Sequence, residues 1–417
     1  MKRPTAKAPE RSRTVWLCAG LHAFTHVYWV ALTPLYLLMR EDLGLESVSR
    51  VTLLMTVMMT AYFLPSYPVG MLADRFPRKH LLAFGLLLNG AAFVGLGCAP
   101  NYGTALACAA LAGLGGTFYH PAATALVAGL FPLQTGRALG IVGIGASVGF
   151  FAGPIYSGWR AEAVGWRGPV IELGVAGVVM ALLFLWRARE PERAPVTPGS
   201  VGLRVRLGGR HWLALGAAAL FLSLRDFAGT AVGSGGALFL QQAHGFSPAR
   251  TGVALSLIFL GSAAGNPLFG HLGDRRLGFW LTAVLLIAGV AVMLMPWIPG
   301  GAVPPLLLAY GFFFMGSYPM TEAAVVRAVP DAARGRVMGG FITVGGLIGN
   351  LGHWWAGDRI GRLGAAAERA AAYGPFFFLL GALMVAALLA LPWLLQLNRI
   401  PLPAPSPEGV SASHGTA

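Results

Sequence analysis

Along this chain, apolar runs about as long as a membrane-crossing helix alternate with short breaks rich in Arg, Gly and Pro. A helix needs about 20 mostly apolar residues to cross a bilayer. Twelve such spans are predicted, at 14–39, 51–72, 80–99, 103–130, 137–159, 168–186, 211–242, 250–272, 277–298, 303–328, 336–358 and 373–397. The longest internal polar stretch, RAREPERAPVTPGSVGLRVRLGGR at 187–210, separates the first six from the last six. The expected organisation is a tail at 1–13, a six-helix bundle at 14–186, a linker at 187–210, a second six-helix bundle at 211–397 and a tail at 398–417. The last segment, rich in Pro and Ser, has the composition of a disordered tail.

Composition fixes the solvent. Of 417 residues, 56% are apolar and 11% charged, and the mean hydropathy is +0.67. Soluble domains carry about 25% charged residues. Lipid must therefore cover much of the surface, and the fold class is an all-α membrane protein. The net charge of +14 would suggest nucleic acid in a soluble protein, but the basic residues lie in the short breaks and read as topology signals. With the N-terminus in the cytoplasm, twenty-one of the 30 basic residues fall in cytoplasmic segments and eight in outer ones, with Arg225 inside a span. Both termini are thus expected inside a plasma membrane, the inner membrane of a bacterium. Cys18, Cys98 and Cys108 all lie in apolar runs and imply neither a disulfide framework nor a cysteine metal site. The first apolar run is too long for the core of a cleavable signal.

The halves repeat. PVGMLADRFPRK at 68–79 is echoed by PLFGHLGDRR at 267–276, which pairs Gly70, Asp74 and Arg75 with Gly270, Asp274 and Arg275. GRALG at 136–140 is echoed by GRVMG at 335–339. Two matches at nearly one offset imply duplication of a six-helix unit.

The loop GMLADRFPRK resembles the signature Gly-x-x-x-Asp-Arg-x-x-Arg-Lys of the major facilitator superfamily, with Gly70, Asp74, Arg75, Arg78 and Lys79 in place. The resemblance implies twelve helices in two pseudo-symmetric six-helix bundles and a gating loop formed by Gly70, Asp74, Arg75 and Arg78, with Asp274 and Arg275 as its second-half counterpart. A carboxylate there can be satisfied in one conformation and lose its partner in the other. Gly149-x-x-x-Gly153-Pro154 resembles the family's antiporter motif; small residues four apart let two helices approach closely. LHAFTH at 21–26 and GLGGTFYHPAATAL at 113–126 are similar to the fosmidomycin-resistance type of exporter, although Ala122 stands where that type carries an acid.

Ionisable residues inside membrane helices are costly and normally face a cavity or each other. Here they fall on spans 1, 4, 7 and 10: His22 and His26, His120, Arg225 and Asp226, and Glu322. In the superfamily these spans line the central cavity, so these six residues are the expected substrate- or proton-binding groups. Asp226 is the first choice for proton coupling. Arg225 and Asp226 point about 100° apart on an ideal helix, which leaves their pairing open, and Glu322 takes the role if they pair.

The expected function is secondary active transport by alternating access, chiefly proton-coupled efflux of a small organic compound. An importer or facilitator of the same fold is the alternative, as is a transition-metal or metal-chelate transporter using His22 and His26, whose i, i+4 spacing suits one ion. The chain is not expected to be an enzyme. HAFTH has Ala23 where a metalloprotease needs its Glu, and no nucleotide-binding signature is present. No cofactor is expected. The expected partners are a small-molecule substrate, protons and the bilayer, with the chain working as a monomer and without nucleic acid.

Overall fold

The computed structural model describes residues 8–190 and 207–400, so most of the predicted linker and both terminal tails lie wholly or partly outside the described residues. The first half contains α1 (Ala8–Val30), α2 (Tyr36–Asp42), α3 (Val48–Phe63), α4 (Ser66–Arg75) and α5 (Arg78–Gly97). It continues with α6 (Tyr102–Gly116), α7 (Tyr119–Leu130), α8 (Thr135–Val164) and α9 (Arg167–Arg187). The second contains α10 (Gly209–His244), α11 (Pro248–Leu294), α12 (Val303–Arg327), α13 (Asp331–Gly361), α14 (Gly374–Ala386) and α15 (Leu391–Leu397). These build twelve spans in two six-helix bundles, because several spans are broken. The breaks fall near the carbonyl four residues before a proline, which has no N–H to offer it and whose ring crowds it. Val30 ends α1 ahead of Pro34, Thr117 follows the end of α6 ahead of Pro121, and Leu388 lies in a 3₁₀ turn ahead of Pro392. The second span bends by 41° between α3 and α4, beside Pro65.

The predicted break between the eighth and ninth spans is a tight one. Residues 248–294 form one helical stretch with only Arg276 outside helical geometry, at φ −146° and ψ 68°. At about 1.5 Å per residue such a stretch exceeds twice the hydrocarbon thickness if straight. It is two helices that meet at a kink at Arg276.

The duplication read in the sequence recurs in the packing. Gly44 and Gly245 both end the first span of their half in left-handed backbone, at φ 60° and 62°. A Cβ at Gly70 would lie 3.9 Å from Pro121, and one at Gly270 3.6 Å from Pro319. Gly90 faces the Gly174 carbonyl at 2.7 Å from its Cβ position, and Gly289 faces the Gly381 carbonyl at 2.9 Å. Each pair joins equivalent helices of the two halves, as a two-fold relation requires.

The halves close on each other at the face opposite the termini. Tyr36 and Ser234 share a hydrogen bond of 2.9 Å, Gln241 donates to the Pro34 carbonyl at 2.7 Å, and Thr56 donates to the Asn350 carbonyl at 3.1 Å. Gly252 and Gly158 let α8 and α11 touch backbone to backbone, at the carbonyls of Pro154 and Pro248. Toward the terminal face the packing loosens. A Cβ at Gly136, Gly140, Gly143, Gly339 or Gly340 would meet nothing within 4 Å.

Candidate functional site

Two polar clusters form, one in each half. The first depends on close approach of α8 to α1. Cβ atoms at Gly145 and Gly149 would strike the carbonyls of Ala19 and Ala23, and one at Gly153 would lie 3.0 Å from Val30. Only glycines allow this seam, so Gly149 and Gly153 of the motif are packing residues here, with Pro154 continuing the helix beyond them. The approach brings the Val142 carbonyl to His22, whose Nδ1 donates to it at 3.0 Å. A carbonyl cannot donate, so this contact assigns the proton to Nδ1 and leaves Nε2 of a neutral His22 with a lone pair. His26 Nε2 lies 3.0 Å from that nitrogen. His120, at the start of α7 just past the break, brings its ring to 5.1 Å from His22 and 5.8 Å from His26. Tyr119 stacks on His22 at 4.6 Å and donates to the Cys18 carbonyl at 2.8 Å. His22 and His26 are buried and His120 is exposed.

The second cluster centres on Asp226. Arg225 reaches back along α10 and meets its neighbour with Nε and Nη2, both 2.9 Å from Oδ1. Nη1 of Arg225 donates to Ser317 and Thr321 of α12, each at 3.2 Å. The guanidinium carbon lies 3.7 Å from the Tyr318 ring centroid, and the Tyr318 hydroxyl donates to Asp226 at 3.0 Å. Gly345 and Gly349 of α13 make room for the acid, since their Cβ atoms would come to 2.7 Å and 2.9 Å from it. The Arg225 side chain is 3% exposed and that of Asp226 20%. Glu322 stands one turn beyond Tyr318 and is exposed. Its basic neighbour in sequence, Arg327, pairs with Asp274 instead.

The clusters are counterparts. His120 and Tyr318 each immediately precede the proline that rests on Gly70 or Gly270. His22 meets His120 where, in the other half, Arg225 meets Tyr318.

At the terminal face, Gly70 sits against Pro121, and Arg78 donates through Nη1 to the Ala125 carbonyl at 2.9 Å. Asp74 closes α4, but its side chain lies outside the described residues. Arg75 and Arg275 are exposed, and Asp274 pairs with Arg327. One participant went unread in the sequence. The Glu190 carboxylate accepts the backbone N–H groups of Arg78 at 3.1 Å and Lys79 at 2.9 Å, capping α5. Anions are favoured at a helix N-terminus. The only signal was an acid in the otherwise basic run at 187–190.

The profile of the Major Facilitator Superfamily matches residues 15–353. The chain belongs to that superfamily. It is a multi-pass membrane transporter. Among relatives, it is 29% identical over 354 residues to the multidrug resistance protein MdtH of Yersinia enterocolitica, covering 79% of this chain and 82% of that protein. It is 30% identical over 298 residues to the puromycin resistance protein pur8 of Streptomyces alboniger, spanning just over half of each, 55% and 56%. In structure it is similar to a bacterial homologue of the human lysosomal transporter Spinster, with a TM-score of 0.76 at 18% identity over 94% of this chain and 98% of that one. A POT family transporter in complex with 5-aminolevulinic acid follows with a TM-score of 0.71 at 13% identity over 93% and 96%. These two likenesses show the fold.

Proposed function

We propose that this transporter works by alternating access and exports a small organic compound in exchange for protons. The observation that carries efflux is the likeness to the Yersinia multidrug resistance protein over four-fifths of both chains. The halves meet at the face opposite the termini and part toward the terminal face, so with both termini in the cytoplasm this is an inward-open arrangement.

Proton coupling rests on the second cluster. Arg225 is a buried cation whose charge is answered by Asp226. While the pair holds, Asp226 occupies the guanidinium of Arg225 through Nε and Nη2. Protonating Asp226 frees Arg225, and an anionic or polar substrate group can then take its place. Among the described residues Glu322 forms no salt bridge, and Arg327 is engaged with Asp274. Protonating Glu322 breaks no salt bridge among the described residues, so Glu322 is the carboxylate assigned to carry the proton, with Asp226 holding Arg225 until substrate takes its place. Asp74, Arg75, Arg78, Asp274 and Arg275 serve the gate at the terminal face.

The test is drug susceptibility in a host stripped of its own efflux systems, with puromycin among the compounds. Expression should raise the inhibitory concentration of at least one compound, and Arg225→Met should remove the gain while the protein still reaches the membrane. Sensitisation, or accumulation of the compound inside expressing cells, would favour import and contradict the reading.

A further inference from the structure

We propose that His22, His26 and His120 form a binding site for one divalent transition-metal ion of the zinc class, separate from the Arg225–Asp226 cluster. One ligand nitrogen from each residue lies within 4.8 Å of the others. Tetrahedral zinc with ligands at about 2.0–2.1 Å separates its nitrogens by a little over 3 Å. The His22 and His26 Nε2 atoms already stand 3.0 Å apart, so rotation of the exposed His120 ring is what closes the set.

The surroundings match such a site. His22 donates its other ring N–H to the Val142 carbonyl. That backing fixes the ring of a metal-binding imidazole and points its lone pair at the ion. His26 is 6% exposed, and among the described residues its Nδ1 has no hydrogen-bond partner. The hydrogen bond between the two Nε2 atoms requires His26 to carry its proton on Nε2, which leaves that buried Nδ1 an unsatisfied acceptor. When an ion takes both Nε2 lone pairs, the His26 proton moves to Nδ1 and faces the neighbouring rings. Phe150 and Trp29 pack on His26 at 4.2 Å and 4.7 Å, and Tyr119 covers His22, so the site is walled by aromatic groups. His120 supplies the accessible side, where water or a chelating group of a substrate completes the coordination.

The donor set selects the ion. Three neutral imidazoles suit Zn²⁺, Cu²⁺, Ni²⁺ and Co²⁺, whereas Mg²⁺ and Ca²⁺ require oxygen ligands. No carboxylate belongs to this group of three.

The experiment uses the full chain purified in detergent with its affinity tag removed. Co²⁺ is titrated while the visible ligand-field absorption is followed, and Zn²⁺ is then added in competition. The expected result is one ion per chain, in a nitrogen-ligand spectrum that Zn²⁺ abolishes and Mg²⁺ leaves unchanged. His120→Ala changes an exposed side chain and should keep the fold, checked by its thermal transition, while weakening binding at least about tenfold. His26→Gln should do the same. His80→Ala with His271→Ala, which removes two exposed histidines elsewhere, should leave the affinity unchanged. No spectral change, binding that survives His120→Ala, or binding lost with His80 and His271 would overturn the proposal.

Discussion

The Arg225 guanidinium meets one oxygen of Asp226, Oδ1, through both Nε and Nη2 at 2.9 Å, although the two residues are neighbours in the chain. The carboxylate is thereby committed to answering a buried cation. Removing one partner of a buried ion pair costs about 3–5 kcal/mol, because the other charge is left unanswered. Asp226→Asn should therefore lower the melting temperature in detergent markedly. Arg225→Leu combined with Asp226→Leu should recover much of that loss, since neither charge then remains. Equal melting of the parent and Asp226→Asn would mean that the pair carries little energy.

That pair also marks where sequence reading ends. Periodicity put Arg225 and Asp226 on different helical faces, and helix geometry alone could not say that a long, flexible Arg side chain folds back over its own turn. The spans themselves were legible, because each is apolar for about the bilayer thickness. Their breaks were only half legible: Pro34, Pro121 and Pro392 are visible as letters, but Pro154 and Pro319 sit inside unbroken helices. Tertiary packing decides which proline interrupts. Glu190 was hidden for a different reason, since its partners Arg78 and Lys79 are more than a hundred residues away. Of the first cluster, the i, i+4 spacing of His22 and His26 was plain, whereas the Val142 carbonyl that orients His22 was not.

The glycines of α8 supply a sharp contrast. A side chain at Gly149 would collide with the backbone of α1 at Ala23, which cannot rotate away. Gly149→Leu should leave little folded protein in the membrane. Gly143, one to two turns earlier, has nothing within 4 Å of its Cβ position. Gly143→Ala should melt at or above the parent temperature, because Ala is favoured over Gly in a helix by about 1 kcal/mol. Fluorescence-detected size-exclusion of the two variants, with thermal melts, checks both expectations.

Closure at the face opposite the termini can be locked. A Cβ at Gly357 would lie 3.1 Å from that of Thr52, within a few tenths of an ångström of disulfide range. Thr52→Cys with Gly357→Cys should cross-link under mild oxidant and stop transport, and reductant should restore it. Undiminished flux through the cross-linked protein would show that the halves need not part there.

Asp74→Asn separates gating from binding. A residue that latches one conformation stabilises that state alone, so flux should fall while equilibrium affinity for a transported compound changes little. Measuring both in the same variant decides it: a loss of affinity in step with flux would place Asp74 in binding rather than in the gate.

The most direct test of proton-coupled efflux is uptake of labelled puromycin, or of whichever compound the susceptibility panel identifies, into inside-out membrane vesicles under an imposed pH gradient. Uptake should require an acidic interior and collapse when a protonophore dissipates the gradient. Glu322→Gln should shift or flatten its pH dependence, and Asp226→Asn should abolish the gradient-driven component. Uptake of equal rate with and without the gradient, or gradient-driven uptake intact in both variants, would contradict proton coupling through these two carboxylates.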